Sequence, residues 1–576
     1  MNVFIYIKKL LRIFDKSFLS AFPLIVLFLF ATFTDLLSIA LIAPYISFLL
    51  NPEGQSFFQE FLRSLFQNYS FNEIFVIFSL ILFLVFVLKF IFALSVRFAI
   101  KRFALRCRHQ LQINLLKSYQ SMNYSDFSLR GSSDFIKNVR ELSGDCISTL
   151  DSSLRIISEG IVFVAVILYL FWIQPFVVLS LLCVILLVTL VHNFTLKKKT
   201  VLYGRNRTEA LSHIYQAVDE GLKGFKEVKI LAKENYFKQL QKLGLDKVYE
   251  NELKSELILF YPRYLYELII VIFLISFVFF KINYGMASLE IIPLIGTFSV
   301  ASLRIIPSIS IISSGIIMIQ YTNFAIDIIY KDIISLNISK KKLKDHSVNY
   351  ADDEIKTIQL QNIKFKYPNS KDLVFDGLNL NIKKNECIGI IGENGSGKST
   401  LIDILLGLLK IDSGRILLND IEQKNANKIT QKMGYIPQDH LIISDIIKKN
   451  ITLENNEKFI NQVKLQKAIR SANLKKLIDV LPQGIETLIG KDGVRLSGGE
   501  YKKIALARLF YHDRDFLILD EATNSLDRDS EEIIINELKR IKKEKTIIII
   551  SHSSKTLNAC DVLYEIKDKR IELYNN

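Results

Sequence analysis

Cysteine is scarce in this chain: five in 576 residues, at Cys107, Cys146, Cys183, Cys387 and Cys560, with no CxxC pair among them. That spacing excludes a disulfide framework and offers no zinc site. Acidic residues fall short of basic ones, 58 against 73, leaving a formal charge of +15. No basic groove-reading motif accompanies the surplus, so no nucleic-acid partner is expected. The cations instead flank apolar segments on one side, as loops facing an anionic cytoplasmic leaflet do. A cleavable leader is not expected either, because the first apolar run is too long and has no small-residue cleavage site. The most informative gap is in charge: no Asp, Glu, Lys or Arg lies between Ile161 and Leu196, and only Gln174-Pro175 interrupts the run.

What is present explains these gaps. Half of the residues are hydrophobic, crowded toward the N-terminal part, and the length implies two or three domains. A span needs about 20 mostly apolar residues to cross about 30 Å of hydrocarbon. Candidates are roughly 20–49, 71–100, 153–173, 176–196, 256–281 and 288–318, the third and fourth forming a hairpin at Gln174-Pro175. The expected outer loops hold few basic residues, chiefly Arg63 and Lys281, whereas the other side holds Lys8, Lys9, Arg12, Lys101, Arg102, Arg106, Arg108 and Lys197-Lys198-Lys199. The positive-inside rule then puts both termini in the cytoplasm. Hydrophilic stretches near 101–152 and 197–255 read as helical continuations of the spans. Within the second, Gly221 and Gly224 suit a sharp turn carrying a short helix, with a solvated loop as the alternative. Residues 55–68 (QSFFQEFLRSLFQN) place Phe57, Phe58, Phe61, Leu62, Leu65 and Phe66 at helical spacing, as in a helix lying in the outer interface or packed on its own spans.

Ionisable residues inside spans are costly and usually purposeful. Lys89, Arg263 and Arg304 are such residues, with Asp35 and Glu267 as acidic companions. They read either as structural ion pairs, Arg263 with Glu267 at i, i+4, or as a cationic patch for an anionic, phosphate-bearing lipid.

A polar linker at about 337–353 precedes strand-like runs at 357–366 and 385–391. The second run opens into Gly392-Glu393-Asn394-Gly395-Ser396-Gly397-Lys398-Ser399-Thr400, a P-loop whose glycines let backbone N–H groups approach phosphate. Lys398 would bridge the β- and γ-phosphates of ATP, Ser399 would ligate Mg²⁺, and Thr400 would sit nearer the α-phosphate. Phe516 to Leu519 is a buried-strand pattern ending in Asp520, suited to holding Mg²⁺, and Glu521, suited to polarising water. His552 closes another apolar strand and could orient that water, while Gln438 can reach both the metal and the water.

Together with Leu496-Ser497-Gly498-Gly499-Glu500, these residues resemble the ATP-binding cassette family, and the resemblance spans the whole chain. It implies a fold of two parts. Residues 1–336 would be a multi-pass α-helical membrane domain of six transmembrane helices with long cytoplasmic extensions, and 354–576 an α/β P-loop ATP-binding cassette domain. It also implies an exporter half-transporter working as a homodimer, with Ser497, Gly498 and Gly499 of one copy closing on ATP held by the other. Tyr367 matches the aromatic that stacks on adenine, and Asp527 the loop linking the two sites. Glu500 departs from the usual glutamine, and Asn524-Ser525 from the commoner Ser-Ala. Neither departure removes a catalytic group.

Among exporters the chain is most similar to bacterial flippases of lipid-linked oligosaccharides (PglK type). That resemblance is carried by residues 55–68, Tyr261-Pro262-Arg263, Arg304-Ile305-Ile306-Pro307-Ser308 and Asp327-Ile328-Ile329-Tyr330. It implies a bacterial inner-membrane protein translocating a polyprenyl-diphosphate-linked sugar, whose diphosphate would meet Lys89, Arg263 and Arg304. Export of lipid A, drugs or peptides is the alternative, and a non-pumping ATP-gated channel or regulator is another.

Overall fold

The computed structural model describes residues 9–10, 12–14, 22–50, 71–283, 288–344, 355–368, 370–423, 430, 432–523 and 526–574. The expected outer helix at 55–68 and the pair Asn524-Ser525 lie outside them. The chain divides into two compact units, Met1–Met122 with Phe127–Ser347 and Val348–Asn576 with Asn123–Asp126.

Among the described residues, six helices of the first unit are long and apolar enough to cross a membrane. Its main elements are α1 (Phe22–Ala40), α2 (Ile42–Leu50), α3 (Phe71–Gln120), α4 (Ser143–Ile173), α5 (Pro175–Lys223), α6 (Glu234–Asn283) and α7 (Ser288–Lys344). The α4–α5 hairpin turns on one residue. Gln174 leaves helical geometry (φ −145°, ψ 81°), and Pro175 opens α5, where its missing N–H costs nothing. The expected helical continuations are present, since α3, α5 and α6 run 50, 49 and 50 residues. At 1.5 Å per residue each is about 75 Å long, more than twice the thickness of bilayer hydrocarbon. Likewise α7 runs on to Lys344, into the segment that reads as linker in the sequence.

The turn after α5 falls at Gly224, the second glycine of the expected pair. A short helix, Phe225–Ile230, does follow Gly224, yet Gly224 stays at negative φ (−84°). The left-handed residue is Ala232 (φ 51°). Gly221 serves packing instead, because a Cβ there would meet Phe237 Cδ1 at 3.1 Å. Close helix approach recurs at Gly204, where a Cβ would collide with the Tyr321 carbonyl of α7. Asp327 and Tyr330, one of the segments carrying the flippase resemblance, hold the N-terminal segment: Lys9 Nζ donates to Asp327 Oδ1 at 2.5 Å and Arg12 to the Tyr330 hydroxyl at 3.2 Å.

The second unit is built around a six-stranded sheet of order β12-β11-β3-β10-β9-β6. Its strands are β3 (Cys387–Gly392), β6 (Met433–Ile436), β9 (Phe516–Asp520), β10 (Thr546–Ile550), β11 (Val562–Lys567) and β12 (Arg570–Leu573), all parallel except β12. β10 reads TIIII and is buried throughout, the uninterrupted apolar pattern of a strand covered on both faces. An antiparallel sheet joins β1 (Thr357–Phe365), β2 (Phe375–Lys383), β4 (Ser413–Leu418) and β5 (Ile421–Glu422). Helices α8 (Lys398–Leu405), α9 (Gln462–Ser471), α10 (Gly498–His512) and α11 (Arg528–Ile541) complete the part that concerns the site.

Candidate functional site

Parallel strands deliver their carboxyl ends to one edge, where ligands of such sheets bind. Four sequence-predicted groups follow these ends: the P-loop after β3, Gln438 after β6, Glu521 after β9 and His552 after β10. The register fixes their level, for Ile550 pairs with both Asp520 and Ile390.

Within the P-loop, Gly395 (φ 83°) and Gly397 (φ 107°) take conformations that L side chains rarely adopt. At Gly397 a Cβ would also press on Phe375 Cζ at 2.9 Å. Lys398 Nζ donates to the carbonyls of Gly392 (2.7 Å) and Glu393 (2.8 Å), so the ammonium is held across the loop. Ser396 Oγ is buried without a hydrogen-bond partner, an orphan that a phosphate oxygen would satisfy. Tyr367 reaches the same loop, its hydroxyl 3.0 Å from that of Thr400.

Gln438, Glu521 and His552 converge. Gln438 Nε2 donates to Glu521 Oε2 at 3.1 Å, and His552 Nε2 stands 3.8 Å from Glu521 Oε1. Glu521 sits at φ 52°, a strained setting for a non-glycine residue. Two backbone contacts hold it: its N–H donates to Ile550 O (2.9 Å), and Lys502 Nζ donates to its carbonyl (2.8 Å). Lys502, buried in α10, escapes sequence reasoning, since nothing in its spacing marks it.

Carboxylates crowd this edge. Burial, followed by Glu521, raises the pKa of Asp520. Burial, followed by Asp520, raises that of Asp403 in α8 to about 6. Neighbouring carboxylates of this kind, with Lys398 also acting on Asp520, fit a hard divalent cation bound by oxygen. Among the described residues no three His, Cys, Asp or Glu side chains group to hold a metal. A Mg²⁺ ion here would therefore rely on Ser399, Asp520, Gln438 and the nucleotide's own oxygens.

The signature segment is organised by its unusual acid. Ser497 caps α10, its Oγ accepting from Glu500 N–H (3.3 Å), while Glu500 Oε2 accepts from Ser497 N–H (2.6 Å) and from Ser497 Oγ (2.8 Å). This reciprocal box is one that a glutamate closes at that position as a glutamine would. Gly498 has no atom within 4 Å of a would-be Cβ, so the helix start is open. Among the described residues no hydrogen bond or ion pair joins Ser497, Gly498 or Gly499 to the P-loop of the same chain. Asp527 caps α11 by accepting from Ser530 N–H (3.1 Å) and pairs with Lys503 (3.2 Å), its pKa lowered to about 2 by Ser530 first.

In the membrane unit the three basic residues do not form one cationic patch. Lys89 Nζ lies 3.2 Å from Asp35 Oδ1, and Arg304 Nε lies 3.0 Å from Asp35 Oδ2. Arg304 also reaches Glu159 Oε2 at 2.9 Å, and that oxygen accepts from Ser308 at 2.9 Å. Two cations thus meet two buried carboxylates across α1, α3, α4 and α7. Arg263 stands apart, paired with Glu267 at 3.1 Å on an exposed face of α6. The acid that completes the balance, Glu159, is absent from the sequence reading because only the packing of α4 on α7 brings it to Arg304.

Residues 375–524 match the family model described as ABC transporter, and residues 37–280 the ABC transporter transmembrane region. A Rickettsia typhi protein named as an export ATP-binding/permease protein is 31% identical over 301 residues, covering 52% of this chain and 48% of its own length. Human ATP-binding cassette sub-family B member 5 is 32% identical over 237 residues, 40% of this chain and 19% of that protein. The chain therefore spans about half, or less, of the length of these curated relatives. Among solved structures, a bacterial Atm1-family ABC exporter with ATP bound superposes with a TM-score of 0.74 at 18% identity, covering 96% of this chain and 94% of that one. At that identity the likeness bears on the fold alone.

Proposed function

We propose that this chain, which carries matches to the ABC transporter transmembrane region and to the ABC transporter cassette, is an exporter half-transporter, and that two identical copies pair to drive export by ATP hydrolysis. The observation that carries this reading is the convergence of Gln438, Glu521 and His552 at the edge that holds the P-loop, in a chain with six candidate spans. ATP lies on the P-loop with its adenine against Tyr367. Ser399, Asp520 and Gln438 would hold Mg²⁺, which would neutralise the phosphate charge that builds up during transfer. Glu521 takes the proton of the attacking water, and Gln438 and His552 fix that water's position. Ser497, Gly498 and Gly499 meet the γ-phosphate of the other copy, which explains an open helix start with no partner on its own P-loop. Both termini and the cassette face the cytoplasm of a bacterial inner membrane.

The cargo is an anionic lipid carrying sugars, of the polyprenyl-diphosphate class. Such a headgroup loses its water in hydrocarbon at prohibitive cost, and a charged, wetted path lowers that barrier. Lys89 and Arg304 are available to it if phosphate displaces Asp35 and Glu159, and Arg263 if it displaces Glu267. ATPase stimulation in liposomes, compared across lipid-linked sugars, lipid A and drugs, tests this. The reading expects the lipid-linked sugars to stimulate most, and stimulation by uncharged drugs alone would overturn it.

A further inference from the structure

Away from the Asp35 cluster, the membrane unit holds a place where positive charge exceeds negative. A cavity of about 290 Å³ lies between α3, α4, α6 and α7. Two cations line it, Lys101 and Arg155, against one carboxylate, Asp151. Arg155 NH2 and Asp151 Oδ2 form an i, i+4 pair at 3.0 Å. The pair leaves valences open: Arg155 Nε and Asp151 Oδ1 are both buried atoms without a hydrogen-bond partner. Among the described residues Lys101 makes no ion pair. The contrast with the Asp35 cluster is direct, since there every cation has its own acid.

The cavity's depth follows from helix length. Arg155 precedes the α4–α5 turn at Gln174 by nineteen residues, or about 28 Å at 1.5 Å per residue, close to the full hydrocarbon thickness of about 30 Å. It therefore lies at the membrane boundary opposite that turn, on the side of the helical extensions and of the cation-rich loops. The remaining lining is mixed, with the Ser152 hydroxyl on one wall and the apolar Leu259 and Met318 on others.

We propose that this cavity is an anion subsite that takes the phosphate headgroup of an amphiphile at the inner boundary of the membrane, before the headgroup moves deeper. The proposal rests on the reading of the chain as an exporter of anionic lipids, and it places first contact away from Arg304. Arg155 Nε and Lys101 supply charge-assisted donors to phosphate oxygens, the guanidinium as a planar fork and the ammonium as a point charge. Leu259 and Met318 would lie along the first methylenes of the tail. A cation is disfavoured by the surplus positive charge, and a free nucleotide by the apolar walls.

The test is equilibrium binding to the purified full-length protein in phosphatidylcholine nanodiscs, with polyprenyl diphosphate, the matching polyprenol and inorganic pyrophosphate as probes. Two variants are compared with wild type: Lys101→Gln, and the neutral pair Asp151→Asn with Arg155→Gln, which leaves no buried charge unpaired. Gel-filtration profile and ATP binding report folding. Each variant should weaken polyprenyl diphosphate binding about tenfold, the size of one lost charged hydrogen bond, and leave the polyprenol unaffected. Wild-type affinity in both variants would overturn the subsite while leaving the exporter reading standing. A wild-type protein that does not prefer the diphosphate over the polyprenol would overturn both. Pyrophosphate binding as tight as polyprenyl diphosphate would overturn the amphiphile and point to free phosphate.

Discussion

The cassette edge and the Asp35 cluster both gather charge, yet they are built by different rules. At the cassette edge the functional groups follow strand ends, and short-range geometry places them: two left-handed glycines, a strained Glu521 and a lysine folded over its own loop. The Asp35 cluster takes one residue from each of several helices, and only their packing brings the groups together. The first arrangement leaves carboxylates crowded, ready for a metal and for chemistry. The second leaves none unpaired. A site for catalysis thus keeps electrostatic tension, whereas a site that must fold inside a membrane removes it.

The sharpest break in this comparison is Glu521→Gln. It removes the proposed base and keeps the shape, so ATP turnover should fall by about 10²- to 10⁴-fold while ATP binding persists. Steady-state ATPase rates beside nucleotide-binding curves would show the split, and a loss of only a few-fold would remove Glu521 from the role of base.

Arg304→Ala should act on stability instead. It strands Glu159 and half of Asp35 as buried charge, at a cost of about 3–5 kcal/mol. Adding Asp35→Asn and Glu159→Gln should recover much of that loss in a thermal melt. Arg263→Ala is the contrast: its pair is exposed, so the change should be within about 1 kcal/mol. Equal melting losses for the two arginines would erase the distinction between the cluster and the surface pair.

How legible each region is in the sequence follows the same division. The span count, the one-residue hairpin at Gln174-Pro175 and the long helical extensions are readable because each rests on composition or on neighbours in sequence. So is the P-loop, whose glycines, Lys398 and following helix are contiguous. Glu159 is not readable, because its partner Arg304 lies far along the chain and nothing local marks the pair. Lys502 is hidden for a similar reason, since it supports Glu521 through a backbone carbonyl rather than through a motif. The glycine pair 221 and 224 is readable in part: the long helix does end at Gly224 and a short helix follows, while Gly221 makes room for Phe237 and the left-handed residue is Ala232.

Two smaller effects sharpen the cassette side. Glu500→Gln keeps a capping side chain but removes negative charge from a helix start proposed to face phosphate. ATP affinity and turnover should rise severalfold, by about 0.3–1 kcal/mol for a charge near a helix terminus. Unchanged ATPase kinetics would mean that the carboxylate does not face nucleotide. Of a different kind is a pH effect at Asp403, whose folded pKa is raised to about 6 by burial and by Asp520. Its ordinary value is about 3.9, so the native state holds the proton more tightly. This contribution is therefore complete below about pH 4 and is lost as pH rises through about 6. Asp403→Asn should flatten that part of the melting-temperature profile, and an unaltered slope would assign it to another group.

The claim that joins both regions is that ATP hydrolysis at Glu521 moves an anionic, lipid-linked cargo through the membrane unit. Translocation of a fluorescent polyprenyl-diphosphate sugar in proteoliposomes, with wild-type protein and with Glu521→Gln, tests it most directly. The account predicts ATP-dependent movement between leaflets that disappears in Glu521→Gln. Steady ATP hydrolysis by the wild type with no movement of the lipid, or movement indifferent to ATP, would contradict it.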